Sequence, residues 1–462
     1  MNDITAIFAF LKYCLGSKEN MSRMVAGMDW QELYSFASKQ ALLGLCFEGI
    51  ERLGEEYPEE LKQNPIGREL LMTWMGKAQQ IRRQNMKVNA VAGKLFAMLR
   101  VDGMRCCVLK GQGNALMYPN PYSRTPGDID VWIDASRERI MEYASKKFEL
   151  GDDIRLQHLE TSLDGVPVEL HFFPCSMNNP IYHARLQKWF RRNADLQCSH
   201  IVRLPDGAGD VAVPTTAFNV IYQLTHLYHH FFDEGIGMRQ IIDYYYVVCD
   251  FYKVYQNSSK ITPSLFTIKE GSTSHPDPLS LRGEGGNRPT RCSEPLRSKD
   301  GGPSKVSPDC AGWDRRGVSG DTGSVSCSSG SSITSVSSAF TTDSSASTAL
   351  DVVQRELKYL GLWKFARAVM YVLHEALGLS EEKMIAPMDE KRGKLLLTEI
   401  LDGGNFGRHF SKYGGFTHQS MGKKYFLKIW RNMHFVRYYP AEALCEPLFR
   451  TWHFFWRLKY KK

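Results

Sequence analysis

The sequence predicts an α+β protein in which a small mixed sheet is flanked by N- and C-terminal helical regions. Residues 1–102 carry apolar side chains at helical spacing. Short β-rich runs, among them MRCCVLKG and DIDVWID, follow between residues 103 and 175. Helical periodicity returns at Pro214. We therefore predict a helical region over 1–102, a mixed-sheet core over 103–213, and a second helical region over 214–256 and 350–462.

The N-terminal region is predicted to contain at least two helices. Asp29 and Glu32 have the spacing of a capping box, which marks a helix start. Apolar residues then recur on one face, namely Leu33, Phe36, Ala37, Ala41 and Leu45. A longer helix is expected from Gly67 to Arg100, a stretch without internal proline. Both helices indicate packing rather than chemistry.

The core begins where the sequence texture changes, at Gly103. MRCCVLKG suits a buried strand and DIDVWID alternates like a second strand. A helix is expected over 136–148, and Asp134 is interpreted as its cap. DIRLQHLETSL and VPVELHFF then form a predicted hairpin with Asp164-Gly165 as its turn.

The C-terminal half alternates between helical and low-complexity sequence. TTAFNVIYQLTHLYHHFF and MRQIIDYYYVVCDFYKVY predict two helices, and another is expected over 350–377. About a quarter of the segment 257–349 is serine, so we predict a disordered insertion. The final run TWHFFWRLKYKK favours an amphipathic helix that packs its aromatic rings on the domain; binding of nucleic acid or an anionic membrane surface is the alternative.

Composition narrows the class of protein. A net charge of +8 over 462 residues admits an anionic partner but also suits an ordinary solvated surface. The eleven cysteines show no CxxC pair, which favours reduced thiols and a cytoplasmic protein. The N-terminus lacks the features of a signal peptide, and no apolar run is long enough for a membrane span. Neither a GxSxG elbow nor a Walker loop is present.

Three acidic residues are the candidates for chemistry. Alternate side chains of a strand share a face, so Asp128 and Asp130 should project together. Glu169 lies on the next predicted strand and would add a third carboxylate. Crowded carboxylates need a cation, and Mg²⁺ takes oxygen ligands and joins carboxylates to substrate phosphates. We therefore predict that Asp128, Asp130 and Glu169 bind Mg²⁺ and act in two-metal catalysis.

These motifs resemble the polymerase-β-like nucleotidyltransferase superfamily, and within it an uncharacterised bacterial nucleotidyltransferase family. That family has a Lys-Gly, a Tyr-Pro and an Arg before Asp-x-Asp; the matching positions are Lys110-Gly111, Tyr118-Pro119, Arg124 and Asp128-Ile129-Asp130. Glu169-Leu170-His171 resembles its acidic-x-His element, and GMRQIIDYYYVV resembles a later helical element. The resemblance implies a nucleotidyltransferase core, magnesium and a nucleoside triphosphate.

Phosphate contacts are assigned to Lys110, Gly111 and Arg124. Lysine offers a point charge and arginine a planar fork, although either side chain could be an ordinary surface charge. The superfamily usually carries Gly-Gly or Gly-Ser before its carboxylate pair, whereas this chain has Gly111-Gln112-Gly113. The glycine loop therefore departs from the family pattern.

Several polar residues have a simpler structural interpretation. His226 and His230 have the i,i+4 spacing of zinc ligands, but helix packing is favoured because no third ligand is evident. Arg239 and Asp243 are predicted to form an intrahelical pair. His171 could orient Glu169, contact the nucleotide, or be a satisfied core histidine.

The predicted reaction transfers a nucleoside monophosphate from the triphosphate to an acceptor. The acceptor is left open as a small molecule, a saccharide or a macromolecule, and nucleic acid is not the favoured partner. The alternative is a catalytically weak nucleotide-binding or regulatory protein with the same fold.

Overall fold

The fold is described from a computed structural model for residues 3–150, 155–256, 348–409 and 421–460. A four-stranded sheet has the order β1-β2-β4-β3, in which β2 and β4 are parallel and the outer pairs are antiparallel. Two further strands, β5 and β6, form an antiparallel pair. The strands are β1 (Cys106–Leu109), β2 (Ile129–Ile133), β3 (His158–Leu163), β4 (Val166–His171), β5 (Ile201–Arg203) and β6 (Asp210–Ala212). The predicted α+β class with a small mixed sheet is confirmed.

Helices precede and follow the sheet and make up most of the described structure. The first group is α1 (Asp3–Cys14), α2 (Ser22–Ala26), α3 (Trp30–Lys39), α4 (Leu43–Glu56), α5 (Pro58–Gln63) and α6 (Arg68–Val101). Within and after the core lie α7 (Gly111–Ala115), α8 (Arg137–Lys147), α9 (Pro180–Ser199), α10 (Thr216–Asp233) and α11 (Met238–Gln256). The last group is α12 (Ala349–Tyr359), α13 (Trp363–Leu377), α14 (Glu390–Gly403), α15 (Met421–Met433), α16 (Pro440–Ala443) and α17 (Glu446–Tyr460).

The two faces of the sheet pack against different helices. Ile129 and Val131 are buried in an apolar cluster that also contains residues of α6 and α8. Trp132 points to the opposite face and stacks on Phe218 of α10, with the ring centroids 6.3 Å apart. Because side chains alternate along a strand, Asp130 shares the Trp132 face. The side chain of Asp130 therefore lies on the face of the sheet that packs against α10.

Most predicted core elements are confirmed. The long helix α6 runs from Arg68 to Val101, and the hairpin β3–β4 turns at Asp164-Gly165, where both residues have positive φ. The side chain of Asp29 accepts hydrogen bonds from the backbone N–H groups of Gln31 and Glu32 at the start of α3. The region 176–213, for which no elements were predicted, contains α9 and the β5–β6 pair.

Two helices predicted as continuous are interrupted. The apolar periodicity from Leu33 to Leu45 spans α3 and α4, because Ala41 adopts a φ of 58° between them. The predicted helix over 350–377 is broken between α12 and α13, where Gly361 has a φ of 76°. A left-handed residue can end a helix, and apolar spacing alone does not reveal such a residue between two helices.

The interpretation of Asp134 as a helix cap is wrong. Ser136 caps α8, since its hydroxyl accepts from the backbone N–H of Arg139. The carboxylate of Asp134 instead pairs with Arg105. Aspartate and serine are both good N-cap residues. Because α8 begins at Arg137, Ser136 and not Asp134 occupies the N-cap position.

The C-terminal aromatic run forms α17, but the packing predicted for its rings holds only in part. Trp456 packs under the guanidinium of Arg137, 4.9 Å from its ring centroid. By contrast, Trp452, Phe454 and Phe455 are exposed by 50%, 52% and 64%. The terminal helix therefore leaves much of its aromatic surface uncovered by the described parts of the chain.

Other predictions meet the structure only partly. All cysteines in the described ranges are free thiols. Among the helices of those ranges, none combines the length and apolar character needed to cross a bilayer. The predicted disordered insertion lies, apart from its last two residues, outside the described residues. The domain boundaries stay predictions.

Candidate functional site: a carboxylate cluster at the sheet

The register of the sheet brings the three predicted carboxylates together. Asp130 in β2 is the direct partner of Glu169 in the parallel strand β4. Asp128 immediately precedes β2, two residues before Asp130, so the two side chains share a face. One oxygen from each of the three side chains lies within 4.8 Å of the other two. The geometry expected from the sequence is therefore present.

The two aspartates occupy different electrostatic environments. Asp128 is exposed, and the negative charge of Asp130 together with partial desolvation raises the pKa of Asp128 to about 6. Asp130 is buried, which would raise its pKa, but the charge of Lys110 and a hydrogen bond to His171 hold that pKa below its usual value. The cluster thus contains one carboxylate that is firmly ionised and one that titrates readily.

Lys110 reaches the centre of the cluster from the end of β1. Its Nζ lies 2.8 Å from Asp130 Oδ1 and 3.2 Å from His226 Nε2. Burial would lower the pKa of Lys110, but the neighbouring carboxylates outweigh it and raise that pKa. The Lys110 backbone has φ 49° and ψ −139°, a region that residues with a side chain rarely occupy. The surrounding structure therefore holds this lysine in a strained conformation beside the carboxylates.

His171 links the buried aspartate to Glu169. Its Nε2 lies 3.0 Å from Asp130 Oδ1 and 3.2 Å from Glu169 Oε2. Burial alone would lower the pKa of His171, yet the hydrogen bonds to both carboxylates raise it to about 9. Across the hairpin, His158 is the register partner of His171. Two histidines therefore stand beside the carboxylates at this edge of the sheet.

Arg124 is placed differently from its predicted role. Its Nε and Nη2 donate to the two carboxylate oxygens of Asp243, each at 2.8 Å, and Tyr118 donates its hydroxyl to the same carboxylate at 2.7 Å. The predicted intrahelical pair of Arg239 with Asp243 is wrong, because Arg124 occupies that carboxylate. Because Arg124 and Asp243 are both buried and joined by two hydrogen bonds, this pair stabilises the packed structure.

Arg239 lies in the cleft instead. Its Nη1 donates to the carbonyl oxygen of Thr125 at 2.9 Å, and its guanidinium lies 5.4 Å from the ring centroid of Phe406. Its buried Nε has no hydrogen-bond partner. Burial and the charge of Arg124 lower the pKa of Arg239. A buried guanidinium with an unused donor is a natural partner for an anion.

A cleft connects these groups. It is lined by Lys110, Gly111, Arg124, Asp128, Asp130, His226 and Arg239, among others. Gly111 has a φ of 42°, directly after the strained Lys110, so two successive residues use left-handed backbone. The predicted phosphate residues and two of the three carboxylates therefore face one space, although Arg124 is already paired there.

From the sequence alone, His158 has no predicted role, and His226 and Arg239 have only structural ones. His158 was within reach of prediction, because a two-residue turn at Asp164-Gly165 fixes the pairing that sets it across from His171. The contact of His226 with Lys110 joins residues 116 positions apart, and no local pattern signals it.

The favoured packing role of His226 and His230 agrees with the structure. Their rings meet edge to face, with centroids 4.3 Å apart, and His226 also stacks on Tyr222. Neither belongs to a group of three or more metal-ligand side chains among the described residues. Burial lowers the pKa of both histidines, so they remain neutral.

A small mixed sheet that presents grouped carboxylates beside a cationic cleft defines a nucleotidyltransferase-type protein. Residues 26–255 match the model of a family described as uncharacterised nucleotidyltransferase, and the chain belongs to that family. The matched range contains the whole four-stranded sheet, the three carboxylates, and the cleft residues His226 and Arg239. Among curated proteins, none matches this chain.

Proposed function

We propose that this protein transfers a nucleoside monophosphate from a nucleoside triphosphate to an acceptor and releases pyrophosphate. The observation that carries the proposal is the meeting of Asp128, Asp130 and Glu169 within 4.8 Å, beside a cleft that contains Lys110 and Arg239. Nucleotidyl transfer needs stabilisation of phosphate charge and alignment of the acceptor more than it needs covalent chemistry from the protein.

The three carboxylates fit magnesium. All offer oxygen ligands, Asp128 is exposed to incoming substrate, and Asp130 is held ionised by its neighbours. Asp128 and Asp130 would hold both ions, and Glu169 would hold the ion on the acceptor side. Bound magnesium supplies charge neutralisation at the phosphates and activation of the attacking oxygen. Glu169 would also receive the proton of the acceptor group.

The cationic residues divide the work of binding phosphate. Lys110 stands 2.8 Å from Asp130, so its Nζ is held where phosphates would meet the carboxylates. Arg239 adds a guanidinium with an unused donor to the same cleft. Gly111 lets the backbone turn close to the ligand. Arg124 acts indirectly, because its fork secures Asp243 and the loop before Asp128.

The acceptor is assigned to a larger cavity on the far side of Glu169. This cavity, about 300 Å³ against about 40 Å³ for the nucleotide cleft, is lined by His158, Gln157, Ser176, His229, Asp233 and Arg450, among others. His158 lies 3.3 Å from Glu169, so the cavity reaches the carboxylate cluster. Its polar lining suits a hydroxyl- or phosphate-bearing acceptor. The cytoplasm stays the predicted location.

Calorimetry with magnesium and each triphosphate tests the proposal. Asp130→Asn should abolish magnesium-dependent binding and pyrophosphate release. Asp164→Asn is the matched control, because that carboxylate lies at the hairpin turn and pairs with Lys94 outside the cluster. Equal magnesium-dependent binding by the wild type and Asp130→Asn would remove the metal role of the cluster.

A nucleotide-binding or regulatory protein is the second candidate, and one observation favours it. Lys110 and His171 both contact Asp130, so the protein's own groups already neutralise the central carboxylate. Binding of triphosphate without pyrophosphate release, across a panel of acceptors of different chemistry, would support this candidate. Release of pyrophosphate that depends on Asp130 would eliminate it.

A further inference from the structure

A second group of metal-ligand side chains lies next to the three carboxylates. His158, Glu169 and His171 each offer one ligand atom, and these atoms lie within 4.8 Å of one another. The hairpin creates the group: His158 and His171 are register partners on β3 and β4, and Glu169 precedes His171 by two residues on the same face. Glu169 belongs to both groups, whereas the two histidines belong to this group alone.

The spacing of the atoms suits a small tetrahedral ion. Glu169 Oε2 lies 3.3 Å from His158 Nδ1 and 3.2 Å from His171 Nε2. Nitrogen and oxygen ligands about 2.1 Å from a tetrahedral ion lie about 3.4 Å from each other. Two of the three separations between ligand atoms therefore already match coordination of one such ion, and the third is at most 4.8 Å.

The hydrogen bonding of His158 gives an independent indication of a ligand. The residue is only 7% exposed, and neither ring nitrogen has a hydrogen-bond partner. Buried polar atoms are normally satisfied, and leaving them without partners destabilises the fold. His200 shows the ordinary arrangement in the same chain, with its Nδ1 2.9 Å from the carbonyl oxygen of Val213. Its Nδ1 lies 3.3 Å from Glu169 Oε2, but the two atoms do not have the geometry of a hydrogen bond. The ring of His158 thus lies beside the cluster without a hydrogen bond.

We propose that His158, Glu169 and His171 form a binding site for a divalent transition-metal ion of the zinc type. Two imidazoles and one carboxylate are ligands that such ions prefer, whereas magnesium prefers oxygen alone. Three protein ligands leave one coordination position open, as in catalytic rather than structural sites. The site differs from the Asp128–Asp130–Glu169 group in ligand chemistry and in the ion it selects.

Gln157 supports the orientation of one ligand. Its side-chain amide lies 3.3 Å from Nδ1 of His171 and contacts the carbonyl oxygen of Pro174 and the hydroxyl of Ser176. When Nε2 of His171 coordinates the ion, Nδ1 carries the hydrogen. The amide of Gln157 would then turn its oxygen to that N–H and give up its donation to the carbonyl oxygen of Pro174. Such outer contacts fix the ring orientation of metal-ligating histidines.

The location of the site connects it to the acceptor, and this step rests on the proposed function. His158 lines the larger cavity, while Glu169 is shared with the magnesium group. The open coordination position would therefore face the cavity assigned to the acceptor. A hydroxyl or phosphate oxygen of the acceptor is the chemical group that would fill it.

Metal binding by the full chain tests the site. The purified protein, freed of metal by chelator dialysis, is titrated with Zn²⁺ in excess Mg²⁺ by calorimetry, and with Co²⁺ by visible absorption. The wild type should bind one ion at this site and give the absorption of tetrahedral cobalt. His158→Gln should weaken this binding by more than about tenfold. His200→Gln, the matched control, should resemble the wild type in both measurements.

A further variant keeps the test decisive. Glu169→Gln should weaken both zinc and magnesium binding, since the two groups share this carboxylate. Unchanged zinc affinity and cobalt absorption in a folded His158→Gln protein would overturn the proposed site. If His158→Gln does not fold, unchanged zinc affinity in Glu169→Gln would also overturn the proposed site. Zinc binding without pyrophosphate release would leave this site standing and count against the proposed transferase, whereas magnesium-dependent turnover without zinc binding would do the reverse.

Discussion

Two buried ion pairs border the same cleft, and they differ in how completely their charges are matched. Asp243 receives both arms of the Arg124 guanidinium and the hydroxyl of Tyr118. Asp130 is contacted by Lys110 and His171, but Asp128 and Glu169 add negative charge beside it. The first pair is closed and stabilises the packing of α11 on the core. The second has surplus negative charge, which makes it suitable for cations and phosphates.

The largest effect is expected from opening the closed pair. Asp243→Ala leaves the Arg124 guanidinium buried without its partner and should lower the free energy of unfolding by about 3–5 kcal/mol. Urea denaturation followed by circular dichroism measures it. Replacing both residues together, as Arg124→Met with Asp243→Leu, should restore most of the loss. A single variant within about 1 kcal/mol of the wild type would show that the pair is not structurally important.

A third buried carboxylate should make stability depend on pH. Burial raises the pKa of Glu442 to about 7, despite backbone N–H groups donated by Asn178 and Asn179. The folded protein then binds a proton more tightly than the unfolded chain. The stabilising contribution is therefore complete below the ordinary glutamate pKa and is lost as pH rises through about 7.

Glu442→Gln should remove this dependence. The wild type should lose up to about 3 kcal/mol of unfolding free energy from this group between pH 4.5 and pH 7.5, and the variant should show a flatter profile in the same urea titrations. Asp130 is also buried, but its cationic neighbours keep it ionised, so the pKa values of the two buried carboxylates shift in opposite directions. Parallel profiles for wild type and variant would contradict the assignment.

Removing the lysine of the open pair should affect binding more than folding. Lys110→Met should weaken magnesium-triphosphate affinity by about tenfold to hundredfold, the loss expected for one hydrogen bond to a charged group, about 1.5–3 kcal/mol. Isothermal calorimetry measures it. Lys94→Met, which removes the lysine that pairs with Asp164 at the surface, is the matched control. Equal magnesium-triphosphate affinities in Lys110→Met and Lys94→Met would mean that Lys110 does not bind the phosphates.

The smallest effect is expected at that surface pair. Lys94 and Asp164 are 57% and 48% exposed, so water screens their attraction. Asp164→Asn should change the free energy of unfolding by only about 0.2–1 kcal/mol, because asparagine also tolerates the positive φ of this turn. A larger loss by urea denaturation would mean that exposure is a poor guide to the strength of ion pairs in this molecule.

Local patterns predicted the four strands of the larger sheet and the long helices α6, α10 and α11, but they missed α9, the β5–β6 pair and the interruptions between helices. The alternation around Asp130 and the Asp164-Gly165 turn specified the hairpin and the shared face of the carboxylates. Apolar periodicity passed unchanged through Ala41 and Gly361, where the chain leaves the helix. Periodicity reports which side of the chain is buried, whereas a helix break depends on the backbone conformation of one residue.

The sequence by itself determined the β3–β4 hairpin and the side chains that share a face of each strand, because a period of two and a two-residue turn act over a few neighbouring residues. Only the tertiary structure decided the partners of the charged groups. Arg124 reaches Asp243 across 119 positions, whereas the sequence suggested Arg239 four residues away. Lys110 likewise meets His226. The pairing of these charged groups depends on distances that are set by the packing of helices remote in sequence. Short-range sequence patterns do not specify those distances.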